Sequence, residues 1–275
     1  MFNDKLYEIK NLDDSMNFVF ITSSYNQSNF VIKNLNSIKA QNYSKNKYRL
    51  IYVDDASTDD TSSICKEFIK NNKDLNIEYI KNIKNQGPAY SRYVAYQKTD
   101  DKEICVFLDG DDWLIDDNCL FKISWVYKNT KVDSTYGSNI DVKGGVARWD
   151  AQIYYREKNW KGTEGNIFPH LRTARSYYCK LVPEKYLKFE GEWLKFCTDC
   201  AFFQSIEELT GNNHITLSNK FMQYNNYSDT NNKETGWLAS FQNNPKAKKA
   251  RIMRRKYAEH IKNLKPLNKN KTKWY

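Results

Sequence analysis

Residues 48–62 read YRLIYVDDASTDDTS: an apolar run enters two adjacent carboxylates, then a small residue, a hydroxyl pair and two further carboxylates. A second apolar run, Ile104 to Leu108, ends the same way in Asp109, Gly110, Asp111 and Asp112. Two strand-like runs that open into acidic residues predict a site that holds a cation, sugar and base hydroxyls, or both.

Outward from these runs, strand-like and helix-like patterns alternate through the first 120 residues. Phe18 to Thr22, Arg49 to Val53, Ile77 to Ile80 and Ile104 to Leu108 are short, β-branched or aromatic, and nearly continuous in apolar character, as buried parallel strands are. Between them, Val31, Leu35 and Ile38 recur at helical spacing, as do Ile64 with Phe68, Cys65 with Ile69, and Tyr90 with Tyr93 and Val94. The order β, α, β, α, β, α, β predicts an α/β fold, an open and mostly parallel sheet covered by helices, with ligands at the carboxyl ends of the strands. Asp54, Asp55, Asp109 and Asp111 all fall at such ends.

Commoner nucleotide and metal motifs do not fit. Ser23, Ser24, Tyr25 and Asn26 follow the first strand in place of a glycine-rich turn, which excludes the dinucleotide fingerprint and the P-loop. A calcium loop starting at Asp109 would need glycine and glutamate where Leu114 and Leu120 stand. What remains is the DxD pair Asp109 and Asp111. Hard oxygen ligands one residue apart suit Mg2+ or Mn2+, which complete their shell with substrate phosphates and water. A solvated acidic turn is the plain alternative.

The chain has 275 residues, 40% hydrophobic and 15% aromatic, enough to bury a substantial core. No apolar run approaches the roughly 20 residues of a membrane span, and residues 1–17 are polar and acidic, so a soluble, cytoplasmic protein is expected. The six cysteines are scattered, which fits reduced thiols; Cys197 and Cys200 form a CxxC without the second pair that zinc would want. Of the net charge of +10, residues 246–275 carry +11, from twelve Lys or Arg against one Glu, so the remainder sums to −1. In that tail Met253, Tyr257, Ile261 and Leu264 recur at helical spacing. It reads as a basic amphipathic helix that either meets an anionic membrane surface or acidic partner, or packs on the domain by one stripe. The nearly neutral body argues against a specific nucleic-acid partner.

Four stretches, VFITSSYNQSNFVIKNLNSIKAQNY (19–43), YVDDASTDDTS (52–62), NQGPAYSRYVA (85–95) and FLDGDDWL (107–114), resemble in order and separation the nucleotide-sugar domain of family 2 glycosyltransferases, which have the GT-A fold. NIFPHLRTARS (166–176) and residues 198–232 are similar to the acceptor-side half of capsule-type members. An Asn, Lys, Ile and Tyr-rich composition suggests an AT-rich genome, such as a low-GC bacterium or a large DNA virus. The resemblance implies a metal-dependent, inverting transfer from a UDP-sugar donor to the hydroxyl of a glycan or protein acceptor.

It also implies roles position by position. Ser23 and Tyr25 would line the base pocket, and Asp55 would accept a hydrogen bond from the uracil ring NH, as an acceptor-only group can. Arg92 would contact base or phosphates, although Tyr93 and Ala95 stand where the family usually has Asn and then Gly. Asp111 would be the principal metal ligand, Asp109 would meet the ribose or the metal shell, and Asp112 would cap or support the following turn. Asp199 would be the general base, with Glu190 and Glu192 as fallbacks; an N-cap role for Asp199 is the structural alternative. His170 is a phosphate or acceptor contact or a structural group, and Arg172 and Arg175 either steady the diphosphate or sit on a solvated helix face. Among the dense aromatics Trp149, Tyr154, Tyr155, Trp160, Tyr177, Tyr178 and Trp193, one or two rings could stack on an acceptor sugar.

The chain divides on this reading into a lead (1–16), a donor half (17–120), an acceptor half of the same domain (121–243) and the basic tail (244–275). The competing functions are a DxD phosphohydrolase with Asp109 as nucleophile, and a sugar-nucleotide-binding protein without turnover.

Overall fold

The computed structural model describes residues 11–141, 146–147, 168–224 and 245–269. In chain order these form β1 (Phe18–Ser24), α1 (Val31–Lys39), β2 (Tyr48–Asp54), α2 (Thr61–Asn71), β3 (Ile77–Lys81), α3 (Pro88–Gln97), β4 (Ile104–Phe107), β5 (Trp113–Leu114) and α4 (Cys119–Thr130). They continue with β6 (Ser134–Asp141), β7 (Val146–Ala147), β8 (Arg172–Arg175), α5 (Ser176–Leu181), β9 (Lys188–Phe189), β10 (Glu192–Trp193), α6 (Thr198–Thr210), β11 (His214–Tyr224) and α7 (Pro245–Asn263).

One sheet takes the order β3-β2-β1-β4-β8-β6-β11-β5, with β7 paired to β6. The first four strands are parallel, as their continuous apolar runs predict, with Phe18 opposite both Tyr48 and Ile104. β8 is antiparallel to β4 and to β6, so strands from after residue 120 extend the sheet begun by the first four. Strands following β1 are added on one side as far as β3, and the chain then crosses back to place β4 on the other. The strand order therefore reverses between β1 and β4, where an open α/β sheet leaves a crevice beyond the strand ends. Ser23 and Ser24 end β1 there, and Asp109 to Asp112 follow β4.

The sheet is covered on both faces. Val31, Leu35 and Ile38 of α1, Cys65 and Phe68 of α2, and Leu120, Ile123 and Tyr127 of α4 bury against one face. Ala95 and Tyr96 of α3, Tyr178 of α5, Phe202, Phe203 and Ile206 of α6, and Tyr257 and Ile261 of α7 bury against the other. Each buried Val, Leu, Ile or Phe among them contributes about 1.5–3 kcal/mol of transfer free energy.

The basic tail is thus part of the second core by the stripe its spacing predicts. Besides Tyr257 and Ile261, Ala258 is buried, His260 Nε2 meets the Lys188 carbonyl at 2.9 Å, and the Leu267 amide donates to Glu208 at 2.9 Å. Among the described residues no helix is long and apolar enough to cross a membrane.

β8 corrects an expectation. Arg172 and Arg175 lie on this central strand, not on a solvated helix face, and both are buried. The two-residue period of a strand sends them to opposite faces. Arg172 packs over Phe203 with Ala174 in the second core, whereas Arg175 packs over Tyr127 and pairs with Asp133 at 3.4 Å. Of the aromatics expected near an acceptor, Tyr178 is core and Trp193 packs on Tyr90 and Tyr93. Trp149, Tyr154, Tyr155 and Trp160 lie outside the described residues.

Candidate active site

The acidic turn after β4 is built by close approach. A Cβ on Gly110 would come within 2.7 Å of Ser24 Cβ and Oγ and 3.1 Å of the Ser23 carbonyl, so only glycine lets the turn lie against the end of β1. The Gly110 amide donates to that carbonyl at 3.1 Å. From α1, buried Asn34 donates its amide to the carbonyls of Asp109 (3.0 Å) and Asp112 (2.8 Å). The sequence reading missed this clamp. Its signal was one polar residue within the apolar stripe of Val31, Leu35 and Ile38.

The carboxylates after β2 each hold a different part of the scaffold. Asp54 is wholly buried and accepts hydrogen bonds from the Ser57 amide (2.7 Å), the Ser62 hydroxyl and the Tyr79 hydroxyl (2.8 Å). Burial works to raise its carboxyl, and these donors outweigh burial and hold it below its usual range. Asp59 accepts from the Ser28 amide, while Ser57 and Thr61 accept from the amides of Asn26 and Gln27. The STDDT run thereby ties down the loop that follows β1. Asp55, also buried, takes the Asn82 side chain (2.7 Å) and the Gln86 amide (3.0 Å) on Oδ1, and the Gly87 amide (2.7 Å) on Oδ2. A carboxylate has about four acceptor sites, so Oδ2 keeps room for one more donor. Ser23 is half-buried, and Tyr25 is exposed on the loop after β1.

The centre of the crevice is an ion-pair network. Arg92, on the inner face of α3, donates Nη2 to Asp109 Oδ1 at 2.6 Å and Nη1 to Asp199 Oδ1 at 2.5 Å. Arg172, 1% exposed, reaches the same Asp199 oxygen at 3.0 Å, and is fixed by the Phe168 carbonyl at 2.7 Å and His170 Nε2 at 2.6 Å. Burial alone would raise the Asp199 carboxyl; Arg172 and Arg92 outweigh it and hold the group well below the usual carboxylate range. Burial opposes the charge on Arg92, and Asp109 and Asp199 restore it. Asp199 is therefore an anion at any neutral pH, pinned through one oxygen by both guanidinium groups.

Its position also settles the capping alternative. The residue before the first turn of α6 is Cys197, at φ +56°, and Asp199 is the second residue of the helix, with its carboxylate turned to the arginines. Glu190 and Glu192 lie exposed at the tip of the β9–β10 hairpin.

Asp109, Asp112 and His170 each offer one ligand atom, all within 4.8 Å of one another. This grouping shares Asp109 with the expected pair but contains Asp112, wholly buried beside His170, in place of half-buried Asp111. Burial, reinforced by Arg172, pushes the His170 imidazole down to about 3, so the ring is neutral. Arginine has donors only, so Nε2 accepts and Nδ1, which lies 4.0 Å from Asp112 Oδ2, carries the proton. Two carboxylates with substrate oxygens suit Mn2+ or Mg2+; the imidazole fits as a support of Asp112, and would become a ligand only after Arg172 released Nε2.

The chain matches the profile of Glycosyl transferase family 2 over residues 19–189. An uncharacterized glycosyltransferase of Rickettsia bellii is 30% identical over 148 residues, 54% of this chain and 19% of that protein. The poly(ribitol-phosphate) beta-N-acetylglucosaminyltransferase TarS of Staphylococcus aureus is 30% identical over 99 residues, 36% of this chain and 17% of its own. The chain thus spans about a fifth of the length of these relatives. Among solved structures, TarS 1–349 in complex with UDP-GlcNAc superposes with a TM-score of 0.60 at 23% identity, covering 78% of this chain and 59% of that one. Mannosyltransferase PcManGT from Pyrobaculum calidifontis, in complex with GDP-Man and Mn2+, superposes with a TM-score of 0.62 at 16% identity, covering 96% and 69%. These likenesses are of fold, and they agree with the GT-A architecture implied by the motifs. With the profile covering most of the chain, from β1 through β9, the chain belongs to glycosyl transferase family 2.

Proposed function

We propose that the chain is a metal-dependent, inverting glycosyltransferase that moves a sugar from a UDP-sugar to an acceptor hydroxyl. The observation that carries the reading is the convergence of Asp109, Arg92 and Asp199 from three elements on the crevice between β1 and β4. TarS bound to UDP-GlcNAc and PcManGT bound to GDP-Man and Mn2+ support a nucleotide-sugar donor and a divalent cation.

In this reading Asp55 receives a base N–H on Oδ2, the loop of Ser23 and Tyr25 borders the base, and Arg92 turns to the diphosphate. Asp109, with Asp111 or Asp112, would hold Mn2+ or Mg2+, whose chemistry is to neutralise charge developing on the departing diphosphate. Asp199 takes the proton of the acceptor hydroxyl. Both arginines use Oδ1, and among the described residues Oδ2 makes no hydrogen bond or ion pair, so Oδ2 is the oxygen assigned to the acceptor. Attack from the face opposite the leaving group inverts the anomeric carbon in one displacement. The acceptor is a glycan or a hydroxylated protein.

The test is calorimetry and slow hydrolysis with a panel of UDP-, GDP- and TDP-sugars, with Mn2+ or with EDTA. The expected result is selective UDP-sugar binding that needs the cation. Equal UDP affinity in EDTA would refute the metal assignment. Preference for GDP-sugars would refute the UDP assignment, which an acceptor-only Asp55 cannot enforce alone, because guanine also presents ring N–H donors.

A further inference from the structure

Arg92 has a second role, argued on the donor-site reading above. Its side chain is 9% exposed, and the guanidinium donates from Nη2 to Asp109 and from Nη1 to both Asp199 and the Thr198 hydroxyl, the latter at 3.1 Å. One side chain thus neutralises a carboxylate needed for the cation and the carboxylate assigned as base. Asp109 cannot serve a divalent cation at full strength while a guanidinium sits 2.6 Å from its Oδ1.

We propose that Arg92 is a displaceable counter-cation: it holds Asp109 and Asp199 together in the ligand-free protein, and a nucleoside diphosphate draws it off both. A planar guanidinium trades a carboxylate for diphosphate oxygens readily, since both match its bidentate fork. Its departure frees Asp109 for the cation. It also leaves Asp199 with Arg172 alone, which is held in place by the Phe168 carbonyl and His170 and cannot follow. The base is therefore quenched until the donor arrives, and cation and nucleotide must strengthen each other's binding by the same factor.

The experiment measures Mn2+ alone, UDP alone and each in the presence of the other by calorimetry, on the wild type, Arg92→Gln and Arg92→Lys, with folding checked by circular dichroism. The wild type is expected to bind Mn2+ at least about fivefold more tightly with UDP present, at the low end of ordinary coupling. Arg92→Gln should bind Mn2+ alone at least about fivefold more tightly than the wild type, bind UDP more weakly, and keep only the part of the coupling that comes from the cation's own contact with the diphosphate. Arg92→Lys, whose single ammonium cannot span both carboxylates, should move the same way by less, and serves if the glutamine variant does not fold. A scaffold role predicts the opposite sign, because a collapsed turn weakens Mn2+ and UDP together. That result, or a wild type whose Mn2+ affinity ignores UDP, overturns the inference; a wild type that binds UDP in neither condition overturns the donor-site reading instead.

Discussion

Replacing Gly110 by alanine tests how the site is assembled. The added methyl would meet Ser24 Cβ and Oγ at 2.7 Å and the Ser23 carbonyl at 3.1 Å, and the first two distances are shorter than real Cβ atoms tolerate. The seam between β1 and the acidic turn must open. Overpacking of this kind costs about 1–3 kcal/mol. At about 2–4 °C per kcal/mol for a chain of this size, the melting temperature should fall by several degrees. Because Asn34 and the Gly110 amide anchor the same turn, the shift carries Asp109 and Asp111 with it, and UDP affinity in Mn2+ should drop about tenfold or more, as misplacement of a site group does. Ser24→Gly removes both severe contacts at a cost of about 0.5–1 kcal/mol for glycine in a strand. The double variant Ser24→Gly/Gly110→Ala should then recover at least half of the lost stability and affinity, and the cycle should show clear non-additivity. Thermal unfolding and UDP calorimetry on the four proteins give the answer. A Gly110→Ala protein that melts within about 1 °C of wild type and binds UDP equally would refute the close-approach argument.

Asp199→Asn should lower turnover at least about a hundredfold while leaving UDP affinity within about threefold, because the change removes a proton acceptor but not a donor contact; turnover within about threefold of wild type would send the search to Glu190 and Glu192. Ending the chain at Asn244 strips Tyr257 and Ile261 from the second core and removes buried Ala258, so the truncated protein should unfold by at least about 3 kcal/mol more easily; an unchanged melting temperature would show that α7 is not needed there.

The first four strands were legible because β1, β2 and β4, buried on both faces, write themselves as short apolar runs, while β3, half-buried at the sheet edge, keeps the same apolar character; the acidic ends of β2 and β4 stood out against them. The roles of those acids were less so. Asp54, Asp55 and Asp59 read as one cluster, yet Asp54 and Asp59 hold the loops after β2 and β1 while Asp55 holds the turn before α3, a distinction set by which amides happen to face them. β8 was illegible for a physical reason. RTAR carries two charges in four residues, and a central strand tolerates them only because Asp199 and Asp133 wait on opposite faces, contributed by distant parts of the chain. Asp112 and His170 were hidden in the same way, since their proximity depends on the turn after β4 meeting the residues just before β8.

The antiparallel seat of β8 also bears on how the protein is made. β4 pairs on one side with β1 and on the other with β8, Phe107 facing Arg172 across a long excursion of the chain. During synthesis residues 17–120 leave the ribosome while one edge of β4 still lacks its neighbour, and an unpaired apolar edge invites association with other chains. Such a non-local pairing is slow to close, because the loop entropy is lost before the contact is gained. Residues 17–120 contain nearly every recognisable motif, yet released alone they would present an open sheet edge. The edge that this region would expose is the one β8 covers, a strand whose sequence does not look like one.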